Sequence, residues 1–210
     1  ALEVAPQFSQ MHMALGQLYN LDGKPDEALR EYEAVLLANP RHSKALAAKV
    51  ATLIRERKLD EAIAYLQQVI AADGKNVEAR TLLGSAYVLK KEPKKAEEEY
   101  RRALKVDARF TPARFHLARL ALDGKRDGEA VVLLQAILKH QPGQVPAAVM
   151  LAQVYAREGR YEQAIPVLET ALPLNPHAPE LILPLADFYL KMTAPDLLRL
   201  GVIDEIIPEA

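Results

Sequence analysis

Apolar residues recur along the chain at intervals of three and four, the period of a helix buried on one side. Ala28, Leu29, Tyr32, Val35 and Leu36 form one such stripe. Short polar clusters interrupt the stripes, as in Asp22-Gly23-Lys24-Pro25-Asp26. Pro25 there suits a first helical turn, where a missing amide is no loss. The pattern predicts successive helices of about 13 residues joined by tight turns. Shifted by 34 positions, the chain aligns with itself. A small-residue column reads Gly16, Val50, Gly84, Ala118, Ala152, Ala186. Ala28, Ala62, Ala96, Ala130 and Ala164 form an invariant one. Two bulky columns run Tyr19, Leu53, Tyr87, Ala121, Tyr155, Tyr189 and Tyr32, Leu66, Tyr100, Leu134, Leu168. A last column, Pro40, Gly74, Ala108, Pro142, Pro176, holds residues that mostly stop helices. Small residues let two helices approach, and bulky ones fill the space between successive pairs.

These columns resemble the tetratricopeptide repeat (TPR) family. The resemblance rests on Leu15-Gly16-Gln17-Leu18-Tyr19 with Asp26-Glu27-Ala28 and Asn39-Pro40, and on Leu83-Gly84-Ser85-Ala86-Tyr87 with Lys95-Ala96. Leu151-Ala152, Tyr155, Tyr161-Glu162-Gln163-Ala164 and Asn175-Pro176 repeat it. The family's frequent early Trp is missing from every unit. The resemblance implies an all-α fold, a right-handed superhelical solenoid of antiparallel helix pairs. Units are expected at 9–42, 43–76, 77–110, 111–144 and 145–178, followed by a final helix over 179–192. Pro6 stands one period before Pro40, so residues 1–8 read as the end of a truncated preceding unit, and the chain as a piece of a longer array. Lys49 and Val50 depart from the pattern, which predicts looser packing in the second unit. Pro166 and Pro184, each about one turn into a helix, predict kinks or looser packing in the last third.

Composition narrows the function classes. The 210 residues include 27 basic and 28 acidic side chains, no Cys and no Trp. The absence of Cys excludes a disulfide scaffold, a thiolate zinc site and a thiol nucleophile. A net charge of −1 argues against nucleic-acid binding. Apolar stretches are too short for direct membrane insertion. The compartment, cytoplasmic or periplasmic, is left open. The five His residues form no metal-spaced pair, and phosphate loops and nucleophile elbows are absent. No cofactor and no enzymatic activity are expected. Glu97-Glu98-Glu99 reads as a solvated face with local ion pairs.

The period fails after roughly Thr193. Leu198 stands where the invariant Ala belongs, and Gly201 and Pro208 oppose a regular second helix. Residues 193–210 read as a divergent tail or cap. Leu200-Gly201-Val202-Ile203-Asp204-Glu205-Ile206-Ile207-Pro208-Glu209 resembles a segment near the C-terminus of the carboxyltransferase alpha subunit of bacterial acetyl-CoA carboxylase. The catalytic and CoA-binding parts of that subunit are not in this chain, so the resemblance implies at most an enzyme-associated or chimeric protein. The tail carries Arg199 against Asp196, Asp204, Glu205 and Glu209, and could pair with a groove on its own or a neighbouring molecule.

The TPR resemblance implies a protein-interaction scaffold whose first helices line a concave groove for a peptide or partner protein. By register, the groove residues are Met13, Gln17, Asn20, Lys44, Ser85, Phe115, Arg119, Gln153 and Arg157. They mix an apolar floor with amides, a hydroxyl and cations, a surface for a peptide with apolar anchors and a carboxylate. Arg119 beside Phe115 is the best anchor candidate. The two-carboxylate clamp of chaperone-tail-binding members is not reproduced: its first window holds Met13, Gln17, Ala48, Glu78 and Leu82. The style of the array, rich in Ala and Leu, is similar to bacterial secretion, exopolysaccharide and protein-sorting systems.

Overall fold

A computed structural model describes residues 6–192. Among these residues there are eleven α-helices and no strands. The helices are α1 (Pro6–Leu21), α2 (Pro25–Ala38), α3 (Ser43–Arg55), α4 (Leu59–Ala72), α5 (Val77–Leu89), α6 (Pro93–Val106), α7 (Thr111–Asp123), α8 (Asp127–Leu138), α9 (Val145–Arg157), α10 (Tyr161–Ala171) and α11 (Pro179–Lys191). They divide into two compact units, the first ending at Ala113 and the second starting at Arg114. In the first unit α1/α2, α3/α4 and α5/α6 are stacked hairpins. In the second, α9/α10 is such a hairpin, flanked by α8 and α11. The tail over 193–210 and its carboxyltransferase resemblance lie outside the described residues, as do residues 1–5.

The turn inside each pair is set by one residue in the left-handed region. Gly23, Arg57, Lys91, Lys125 and Gly159 all have φ between 56° and 71°, and they stand 34 apart. The amide of the next residue closes the turn onto the carbonyl five residues back: Lys24 to Tyr19, Lys58 to Leu53, Glu92 to Tyr87, Arg126 to Ala121 and Arg160 to Tyr155, at 2.8–3.0 Å. This is the bonding that satisfies orphan carbonyls at a helix end. The starts of α3, α5 and α9 are capped by side chains. His42 Nδ1, Asn76 Oδ1 and Gln144 Oε1 accept from the amides of Ala45, Ala79 and Ala147.

Core packing follows the columns. All five invariant Ala residues are fully buried. In the small-residue column, size is matched to the residue sixteen positions later. Gly16 faces Tyr32 and Gly84 faces Tyr100, so closely that a Cβ on either Gly would lie 2.5 Å from a ring carbon. Where the small residue is Val or Ala, the later residue is Leu: Val50 with Leu66, Ala118 with Leu134, Ala152 with Leu168. All of these are buried. Successive pairs are tied by hydroxyls at a constant spacing of twenty. Gln67 Nε2 donates to Tyr87 at 3.1 Å, Gln135 Nε2 donates to Tyr155 at 2.9 Å, and Tyr189 donates to Glu169 at 2.5 Å.

Four details differ from the sequence reading. First, α1 begins at Pro6, three residues before the expected unit start, with Pro6 opening the helix in the manner that suits its missing amide. Second, the region around Lys49 is not loose. Val50 is 2% exposed, and the Lys49 ammonium pairs with Glu33 and sits 3.7 Å from the Tyr65 ring centroid, so a cation fills the place of a Leu. Third, Pro166 lies inside α10, yet Ile165 and Leu168 beside it are fully buried. Fourth, Glu97 and Glu98 do pair with Arg101 and Arg102 one turn on, but Glu99 is buried and bonds to Arg80 at 3.0 Å and Arg102 at 2.6 Å.

Candidate functional site

The candidate groove residues stand on first helices, α1, α3, α5, α7 and α9, whose other faces are fixed by the columns described above. In the first unit Met13, Gln17 and Lys44 line one cavity of about 560 Å³. Ser9, Gln10, Ala14, Arg41, His42 and Ser43 complete it, and no acidic side chain lines it. Lys44 and Gln17 are exposed, whereas Met13 is half-buried. Arg41 is shared with Asp73 at 2.8 Å, whose carboxyl it holds below the usual range by hydrogen bonding.

Asn20 and Ser85 are committed to internal contacts. Asn20 Nδ2 donates to the Tyr32 hydroxyl at 3.0 Å and to Thr52 Oγ1 at 2.9 Å, and Arg55 donates to its Oδ1. That junction links the first hairpin to the second. Ser85 Oγ lies 3.1 Å from the Tyr100 hydroxyl, inside its own hairpin.

In the second unit Gln153 and Arg157 line a cavity of about 470 Å³ with Leu122, Met150, Val154, Ala156, Tyr161, Phe188 and Lys191. Its floor is apolar and its rim carries two cations. Arg157 reaches Asp127 at 3.4 Å and Lys191 reaches Asp187 at 2.7 Å. Phe115 and Arg119 line neither cavity. Phe115 is half-buried against the hydrophobic cluster of this unit, and Arg119 is exposed. His116, beside them, is half-buried; burial pushes its imidazole below the usual range, and the Arg119 charge adds to the effect. His12 in the first unit is likewise not a free surface group, with Nδ1 2.5 Å from Glu31 Oε2.

Two notches between second helices were not anticipated. Leu36, Leu37, Pro40, Tyr65 and Val69 line one of about 650 Å³ in the first unit. Leu138, Pro142 and Val167, three periods after Leu36, Pro40 and Tyr65, line one of about 480 Å³ in the second. The recurrence of Pro40 at Pro142 was the signal in the sequence. Among the described residues, no group of three or more His, Cys, Asp or Glu could hold a metal ion, and no helix is long and apolar enough to cross a membrane.

Models of the tetratricopeptide repeat match residues 9–42 and, in overlapping segments, 53–120, 90–155, 121–173 and 155–196. The chain belongs to the tetratricopeptide repeat family. Cellulose synthase operon protein C of Pseudomonas fluorescens (strain SBW25) is similar to this TPR chain, with 28% identity over 188 residues, or 81% of the chain and 14% of that protein. The chain spans between 6% and 38% of the length of the curated relatives it matches. A thermophilic TPR protein of Thermus thermophilus has the same fold, with a TM-score of 0.65 and 23% identity, covering 87% of this chain and 99% of that one. YrrB, another TPR protein, gives a TM-score of 0.55 at 20% identity over 81% of this chain and 88% of its own. These neighbours share the TPR fold.

Proposed function

We propose that the chain is a non-catalytic scaffold that binds a peptide or partner protein on the first-helix face of each of its units. What supports this reading is the cavity between α1 and α3, where Met13, Gln17 and Lys44 meet without an acidic neighbour. It offers an apolar contact, amide and hydroxyl partners, and a Lys with no ion pair among the described residues. In the second unit Gln153 and Arg157 border an apolar floor of similar size. A peptide with apolar side chains and a carboxylate suits both. YrrB has an unusual peptide-binding site, and a ligand of that kind is the one proposed here.

The test is selection of displayed peptides on the full chain, followed by affinity measurements. Lys44→Glu and Arg157→Glu change exposed positions and should leave the helices intact, which circular dichroism checks. Selected peptides should lose at least about tenfold in affinity to one of the two variants, the scale of a single charged contact at an interface rim or better. Peptides that bind both variants as tightly as the parent place the ligand elsewhere.

A further inference from the structure

The last described helix, α11, carries two apolar faces. One is buried, through Leu181 and Phe188, in the cluster it shares with α9 and α10. The other consists of Ile182, Leu185, Ala186 and Tyr189, which occupy the columns of Ala148, Leu151, Ala152 and Tyr155 in α9. Those four α9 residues are buried, because α9 has α10 as its hairpin partner. In α11, Ile182 is 44% exposed, Ala186 is exposed, and Leu185 and Tyr189 are only half-buried. Leu190 beside them is 87% exposed. Among the described residues the face that receives a second helix in the earlier pairs is only partly covered: Leu185 and Tyr189 lean on the cluster of this unit and Tyr189 bonds to Glu169, whereas Ile182 and Ala186 are exposed.

We propose that this face of α11 is the docking site for residues 195–207 of the same chain, laid against it as second helices lie against first helices. Three observations select this occupant. The first is spacing. Every second helix begins four positions after the first helix ends: Leu21 to Pro25, Arg55 to Leu59, Leu89 to Pro93, Asp123 to Asp127, Arg157 to Tyr161. Four positions after Lys191 stands Pro195, in the column where Pro25 and Pro93 open their helices. Asp196 follows, as Asp26 follows Pro25, on the side that favours a carboxylate at a helix start.

The second observation is the apolar register. Val202 and Ile206 fall in the columns of Tyr32 and Leu36, both buried in the first hairpin, while Leu198 keeps the invariant Ala column apolar but departs from it in size. The third is size. Position 202 faces the small-residue column, so Val202 meets Ala186 as Leu168 meets Ala152. Position 201 faces the column of His12 and Arg80, as the bonds His12–Glu31 and Arg80–Glu99 establish for the earlier pairs. There Ala148 stands opposite Val167, whereas Ile182 stands opposite Gly201. The large and small members are exchanged, which keeps the volume and gives Gly201 a packing reason.

The absence of Cys makes the test direct. The full chain with Ala186→Cys and Val202→Cys should close an intramolecular disulfide in a glutathione buffer, since these positions stand in the columns that face each other in Gly16/Tyr32 and Gly84/Tyr100. The pair Ala186→Cys and Leu200→Cys should remain free thiols, since position 200 falls in the column of Arg30, Ala64, Glu98, Val132 and Pro166, exposed in every second helix. In the unsubstituted chain, amides of 198–206 should exchange more slowly than those of an unstructured peptide. Equal bridging at 200 and 202, no bridging at either, or unprotected amides would overturn the proposal. A covalent dimer would overturn it too, by assigning the face to the tail of a second copy.

Discussion

Replacing Gly84 by Ala adds one methyl group where the chain has left no room. That methyl would lie 2.5 Å from Tyr100 Cε1, 2.8 Å from Cδ1 and 3.0 Å from Cζ. The ring cannot swing aside easily, because Tyr100 is fully buried and its hydroxyl is 3.1 Å from Ser85. Overpacking of this kind costs about 1–3 kcal/mol. Better helix propensity of Ala returns up to about 1 kcal/mol. The expected net loss is about 0–2 kcal/mol, read as a lower urea midpoint and as faster amide exchange in α5 and α6. Tyr100→Leu alone removes a packed ring and also destabilises. Combined with Gly84→Ala it recreates the Ala118/Leu134 and Ala152/Leu168 pairing, so the double variant should be more stable than the sum of the single effects. A favourable coupling of about 1 kcal/mol is expected for groups in contact. Simple additivity, or a stabilised Gly84→Ala, would refute the reasoning that column sizes are matched in pairs.

Two further outcomes follow from other parts of the chain. Lys91 holds φ 62° without the freedom of Gly, and Lys91→Gly should raise the melting temperature by relieving up to about 1 kcal/mol of backbone strain; an unchanged or lower value would mean the turn is unstrained. The His116 imidazole is held below its usual range by burial and by Arg119, so the unfolded chain binds the proton more readily. Stability should therefore be fully present above the unfolded value and fall as pH drops through it toward the folded one, a slope that His116→Gln should flatten in denaturation curves between about pH 7 and pH 5.

The repeat made most of the fold legible. A 34-residue period puts each core residue in a column, and a column of Ala or of Gly and Ala has few packing explanations. What stayed hidden was whatever depended on neighbours in space. Arg57, Lys91 and Lys125 look like ordinary surface cations, yet they occupy the same left-handed position as Gly23 and Gly159. Glu99 sits in a run of three acids, and its burial becomes readable only beside Arg80, nineteen positions earlier. The matching pair His12 and Glu31 at the same spacing was the available signal. The candidate site divided in the same way. Register placed Met13, Gln17 and Lys44 together, but could not foresee that Thr52 and Arg55 would claim Asn20.

The matched sizes also decide how such a gene can lengthen or shorten. A deletion running from one left-handed turn to the next, residues 58–91, would keep every column in phase. It would nevertheless join α3 to α6 and set Val50 against Tyr100, a ring that now requires the bare backbone of Gly84. A deletion between helix-stopping positions, from Arg41 through Gly74, removes one hairpin whole and leaves each small residue with the partner it was inherited with. A deletion of the second kind should cost only the ties between hairpins, such as Asn20 with Thr52 and Gln67 with Tyr87, whereas one of the first kind also mismatches a buried core pair. The heritable module of this array is therefore the hairpin bounded by its stoppers, and the 34-residue period alone does not define where it can be cut.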